Sequence, residues 1–225
     1  MGREYIRQLE IISQSQVPQS VLLEEEFEGA ALTWTAVKTG ASSTAEVDTT
    51  AAYSKAQGAK LYTNEVAGNG VAGIIKDIPP TEKQYLTIRA RFRANQVGTG
   101  VMYIDYDQGP EDSRSIYEFR LKTEDGEIAY RNSGDTYTVV PGLSIRDWRE
   151  LWGIIEITID IVNKKYHSLK VNEQRVSLKD IAPGTIAFHE YTSWDQLGFF
   201  ITQNEAIAVS LYLDDIVVNG QETAP

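Results

Sequence analysis

The chain contains no cysteine among its 225 residues. Disulfides, zinc–thiolate centres, iron–sulfur clusters and cysteine nucleophiles are therefore excluded. Histidine occurs only as His167 and His189, and neither stands in an H-x-H or H-E-x-x-H pattern, so a histidine-based metal centre has no support. Long apolar runs are absent as well. In "MGREYIRQLEIISQSQVPQS" the longest apolar piece is "LEII", which is too short for a secretory h-region. Nowhere does the chain hold the ~20 apolar residues of a membrane-spanning helix. Met1-Gly2 leads to Tyr5-Ile6 where a myristoylation signal wants Ser or Thr. Cytoplasmic, virion-associated and leaderless exported locations all stay open. Positive charge is scarce: 21 Lys and Arg face 32 Asp and Glu, a formal net charge of -11. Such a chain lacks the clustered cationic surface that phosphate backbones and anionic lipid require, which argues against nucleic acid and against membrane insertion. An acidic surface does attract divalent cations.

What is present is ample core material, with 42% hydrophobic and 10% aromatic residues. From Val21 the chain is a series of short segments with period-two alternation. In "YLTIRARFRA" Leu86, Ile88, Ala90 and Phe92 alternate with Thr87, Arg89, Arg91 and Arg93; "EITIDIV" behaves alike. "TEDGE", "RNSGD", "VPGL", "VNKK" and "VNEQ" have the chemistry of tight hairpins. Only "RDWRELWG" suggests a helical turn. The pattern predicts an all-β, antiparallel two-sheet β-sandwich spanning residues 21–220, with a tail at 221–225. Residues 1–20 read as a short N-terminal arm or linker broken by Pro18, either packed on the domain or serving oligomerisation.

Four stretches, in order, resemble concanavalin A-like and laminin-G-like jelly rolls and many carbohydrate-binding modules. They are "EEEFEG" followed by Trp34, "VDTTAAYSKAQGAKLYT", "WGIIEITIDIVNKKYHSLKVNEQRV" with Asn172 at the hairpin turn, and the terminal "LYLDDIVV". The resemblance implies that the first and last strands are neighbours and that a structural Ca2+ sits near their junction. The ligands it implies are Glu26, Glu28 and Asp215, with carbonyls near residues 52–55. Lys55 stands where the family usually has glycine. As neighbours on a regular strand, Asp214 and Asp215 should point to opposite faces, so only one could reach the ion.

No catalytic constellation emerges. The E-x-D-x-x-E run of sugar hydrolases with this fold is missing, and Glu156 and Asp160 read as a water-facing row. "YIDYDQGPED" reads as a polar hairpin or loop, and no G-x-S-x-G elbow accompanies Ser193 and His189. Aromatics are the remaining lead, because sugar rings stack on exposed aromatic faces. Tyr103, Tyr106, Tyr117, Tyr130 and Trp194 are the candidate ligand-binding residues, with Tyr103, Tyr117 and Tyr130 as a cross-strand row. Core packing is the competing assignment for them. Two functional readings follow. One is a noncatalytic, lectin-like recognition module with a glycan or protein-surface partner. The other is a structural or assembly protein, such as a virion-surface (capsid decoration) component, that uses residues 1–20 as an oligomerisation or docking arm.

Overall fold

The computed structural model describes residues 20–64, 70–95, 100–109, 114–122, 124–145, 151–186, 195–203 and 208–225. The proposed arm, the turn at Trp148, His189, Ser193 and Trp194 lie outside them. Among the described residues sixteen strands are formed: β1 (Ser20–Glu25), β2 (Thr35–Thr39), β3 (Thr44–Asp48), β4 (Gly58–Thr63), β5 (Val71–Ile78), β6 (Tyr85–Asn95), β7 (Gly100–Gln108) and β8 (Arg114–Lys122), then β9 (Glu127–Arg131), β10 (Tyr137–Val139), β11 (Gly153–Asp160), β12 (Lys165–Val171), β13 (Gln174–Ser177), β14 (Gly184–Ile186), β15 (Asp195–Gln203) and β16 (Val209–Gln221). They pair, all antiparallel, into two sheets. The first runs β13-β12-β11-β6-β16-β4-β3, with β1 continuing the line of β4 along β16. The second runs β10-β9-β8-β7-β15-β5-β2, with β14 continuing the line of β9 along β8. Long β6 and β16 pair at the centre of the first sheet, and β7 and β15 at the centre of the second.

Alternation sets the faces as the sequence predicts. Leu86, Ile88, Ala90 and Phe92 are buried against Ile155, Ile157 and Ile159 of β11. The outward row departs from expectation at one end: Thr158 is buried, because Gln221 of β16 and Thr87 of β6 lie alongside it. Rings bind the two layers. Trp34, Phe92 and Phe199 stack at 5.8 Å between centroids. A second cluster centres on Tyr166 of β12, which meets Tyr117, Phe119 and Tyr130 at 5.3–5.5 Å.

The resembling motifs have local physical roles. Glu25 accepts the Phe27 amide at 2.9 Å, the Thr33 hydroxyl at 2.6 Å and the Trp34 indole N–H at 3.2 Å. This bend holds Phe27 at a φ of 54° and drives its ring into the core beside Trp34. The hairpin of long strands β11 and β12 turns at 161–164, with Lys164 at a φ of 51°. Asn172 occupies instead the next turn, between β12 and β13, at a φ of 52°, and its side-chain oxygen accepts the Ile154 amide. The chain end is anchored: Lys83 pairs with Glu222, and Arg175 donates to the Pro225 carbonyl.

Candidate functional site

The junction of the chain ends is as expected, with Glu24 opposite Val217 and Glu25 opposite Ile216. The two adjacent aspartates behave differently from the prediction. The register of β16 on β6 shifts by one residue between Asp214 and Val217, a bulge with Asp215 at a φ of 48°. The extra residue removes the strict alternation, so both carboxylates turn to the same segment. Asp214, fully buried, accepts the amides of Tyr53 at 2.7 Å, Ser54 at 3.2 Å and Asp215 at 2.9 Å. Asp215 accepts the Ser54 hydroxyl at 2.7 Å and Arg91 Nε at 2.8 Å.

The residues expected to hold Ca2+ do not fit it. Lys55 donates to Glu26, and the Ala56 and Gln57 amides both bond Glu28 Oε1. Calcium needs six to eight free oxygens, whereas the carboxylates here are engaged by protein donors. Among the described residues no three His, Cys, Asp or Glu side chains converge to hold a metal. The Lys55 ammonium stands among the predicted ligands: its bond to Glu26, and the fields of Glu26, Glu28 and Asp215, raise it above the ordinary lysine value. The Lys55 ammonium is thus the cation that the structure places at this corner. Thermal melts in EDTA and in millimolar calcium should therefore coincide, and Lys55→Gln should melt lower. A calcium-dependent rise for the unmodified chain would show instead that an ion displaces the ammonium.

The tyrosine candidates separate by parity. Tyr106 and Tyr117 are paired across β7 and β8 and lie in the core, with their rings 5.9 Å apart. Buried rings offer no face to a ligand, so they are corrected to structural residues. Tyr130 packs against the same core, in contact with Tyr166. Tyr103 is an odd number of residues from Tyr106 and so occupies the other face of β7. It is half-buried there and opposes Phe200 on one side and Arg120 on the other. The predicted row of three tyrosines is thus not formed.

On that outer face, turned away from the core, the second sheet carries a group of residues that period-two reading alone did not assemble. A Cβ added to Gly73 would lie 2.2 Å from one edge of the Phe200 ring, and one added to Gly198 would lie 2.4 Å from the opposite edge. Phe200 is therefore laid flat across two glycines, half-buried, with Tyr103 beside it. In the adjacent row Gly198, Asp105 and Glu118 stand directly opposite one another on β15, β7 and β8. Asp105 and Asp107 are strand residues of β7, in the hairpin that β7 forms with β8. Arg131 reaches Glu118 Oε2 at 3.4 Å, and the Arg120 guanidinium lies 4.1 Å from the centre of the Tyr137 ring. Burial pushes Asp105 well above the usual carboxylate range, and Glu118 and Asp107 add to it against the pull of Arg131. Glu118 is raised by burial too, with Arg131 opposing, and Asp107 by burial with Arg114 opposing. The floor is set from within. β9 pairs β8 from Phe119 and β14 pairs it up to Ile116. In the gap the Tyr166 hydroxyl accepts the Glu118 amide at 3.1 Å and donates to the Arg131 carbonyl at 2.8 Å. The sequence signal for this face was glycine inside strands, which marks close approach over the backbone.

No protein-family model and no curated protein matches the sequence. Solved structures do match the fold. A carbohydrate esterase from the Shiga toxin-encoding bacteriophage phi24B aligns over 90% of this chain and 99% of its own, at 16% identity and a TM-score of 0.58. The CBM2 module of the evolved Dit of Lactobacillus casei BL23 phage J-1 aligns over 93% and 99%, at 10% identity and a TM-score of 0.53. The binding domain of botulinum neurotoxin DC, solved with SialylT, aligns over 91% of this chain, at 11% identity and a TM-score of 0.54; the chain spans about half of its length, 48%. At these identities the likeness is one of fold: the chain shares with these structures a two-sheet antiparallel β-sandwich.

Proposed function

We propose that the protein is a noncatalytic, lectin-like recognition module that binds a glycan on the outer face of its second sheet. The observation that supports this reading most is the Phe200 ring spread across Gly73 and Gly198 with Tyr103 at its side. An apolar ring held flat on a sheet and left half-exposed matches the C–H face of a pyranose. Charged and amide groups beside it supply orientation, as ligand sites on folded scaffolds generally do. The printed descriptions of its structural neighbours, a carbohydrate esterase, a CBM2 module and a domain solved with SialylT, agree with a carbohydrate partner. A glycan array followed by titration calorimetry tests it. Phe200→Ala and Tyr103→Ala should each weaken binding about 5- to 10-fold, the equivalent of ~1 kcal/mol per lost ring contact. Unchanged affinity in both variants would refute the site, and release of new reducing ends would refute the noncatalytic assignment.

The second reading is an assembly role on a phage particle, with residues 1–20 as the docking arm. It is supported by the phage origin of two neighbours. Light scattering on the full chain and on residues 19–225 separates the two readings: equal monomeric masses at all concentrations would remove the arm from consideration.

A further inference from the structure

We propose that Asp105 and Glu118 are the polar floor of this site and select an uncharged, hydroxyl-rich sugar over an acidic one, by taking ligand hydroxyl hydrogens on their unpartnered oxygens. The proposal rests on the glycan-binding reading above.

Glu118 is only 7% exposed, yet its Oε1 has no hydrogen-bond partner among the described residues. Asp105 is half-buried as a residue, but its Oδ1 is shut off from solvent and is equally unpartnered. The register of β7 on β8 sets these two residues directly opposite each other, next to the Phe200–Tyr103 platform. A buried acceptor without a donor is costly, and two neighbouring carboxylates repel as well. The surrounding cations do not resolve this. Arg114 faces Asp107 at 3.6 Å. Arg120 and Lys122 share Glu127 at 3.5 and 3.4 Å. Arg131 divides itself between Glu118 Oε2 and Asp135. The surplus at the floor is thus acceptor oxygen and negative charge.

A partner must bring donors without bringing another anion. Pyranose hydroxyls do so, and each can accept a hydrogen bond while donating one. That second capacity matters, because Arg120 Nε, opposite Tyr103, is a buried donor without a hydrogen-bond partner among the described residues. A sialic or uronic acid would place its carboxylate where acceptors already outnumber donors. Carboxylates kept where their charge is disfavoured cluster at functional sites.

The experiment compares neutral, N-acetylated, uronic and sialylated oligosaccharides on the unmodified protein, then on Asp105→Asn and Glu118→Gln. Uncharged oligosaccharides should bind at least about tenfold better than acidic ones. Each amide variant should lose at least about tenfold, the range for a hydrogen bond to a charged group. A thermal scan accompanies the titration. The native state holds protons on these acids more tightly than the unfolded chain, so their charged forms lower stability as pH rises above ~4. Asp105→Asn should therefore melt higher than the unmodified protein at pH 7 and about the same at pH 4, with Glu118, Asp107, Arg114, Arg120 and Arg131 unchanged around it. Equal or better binding of sialylated or uronic oligosaccharides, lost in Phe200→Ala, would overturn the selectivity and leave the glycan reading intact. Amide variants that bind as the unmodified protein does would overturn the floor. Binding of no oligosaccharide at all would overturn both readings.

Discussion

Replacing Tyr166 by alanine is expected to cost about 4–5 kcal/mol of folding stability, read as a lower urea midpoint with an unchanged slope. The ring is fully buried at the meeting of the two sheets and touches Tyr117, Phe119 and Tyr130. Truncating such an aromatic leaves a cavity, which alone costs ~3–5 kcal/mol. The hydroxyl adds a second loss, since the Glu118 amide and the Arg131 carbonyl would be left without their bonds. At ~2–4 °C per kcal/mol for a chain of this size, the melting temperature should fall by roughly 8–20 °C. Tyr166→Phe separates the two terms. It keeps the ring, should cost about 1–2 kcal/mol, and should weaken glycan binding because the backbones of Glu118 and Arg131 lose their shared anchor. A loss below ~2 kcal/mol in the alanine variant would mean that the neighbouring rings collapse into the space and that the cluster is not the keystone between the layers.

Asp214→Ala is expected to cost about 3 kcal/mol and roughly 6–12 °C of melting temperature. Three amides, of Tyr53, Ser54 and Asp215, converge on this one buried carboxylate. Alanine leaves the loop amides of Tyr53 and Ser54 and the bulge amide of Asp215 without this acceptor. Asp214→Asn should recover only part of the loss, because its single oxygen cannot serve both the Tyr53–Ser54 pair and Asp215, and its NH2 would face a donor. Hydrogen exchange gives the local check: the Tyr53 and Ser54 amides should lose protection in both variants while β7 and β15 keep theirs. An alanine variant as stable as the parent would show that the 52–55 segment holds its shape without β16.

Much of the fold was legible residue by residue. Leu86 to Phe92 and Ile155 to Ile159 alternate so cleanly that their buried faces follow from spacing. The turns at Lys164 and Asn172 were both readable, in "VNKK" and "VNEQ"; the resemblance placed Asn172 at the turn of the long hairpin, which the structure puts at Lys164. The candidate site was less accessible. Tyr103 was among the candidates, and parity places it on the face opposite Tyr106. Phe200, Glu118, Arg120 and Arg131 were missed, since each by itself looks like any other strand residue. The ion expected at Glu26, Glu28 and Asp215 rested on a likeness to other chains, and the departure at Lys55 was the informative residue: its long side chain reaches Glu26 from the loop after β3.

The sequence by itself determined an acidic, cysteine-free, all-β chain and the inward and outward face of most strands. Those properties are local, or follow from a period of two that each strand carries within itself. Only the tertiary structure decided that Asp214 and Asp215 share one loop, that a lysine occupies the cation corner, and that Phe200 lies over a glycine from β5 beside two opposed carboxylates. Register between strands far apart in the chain, and one extra residue in β16, set those meetings, and neither is encoded in the alternation of any single strand.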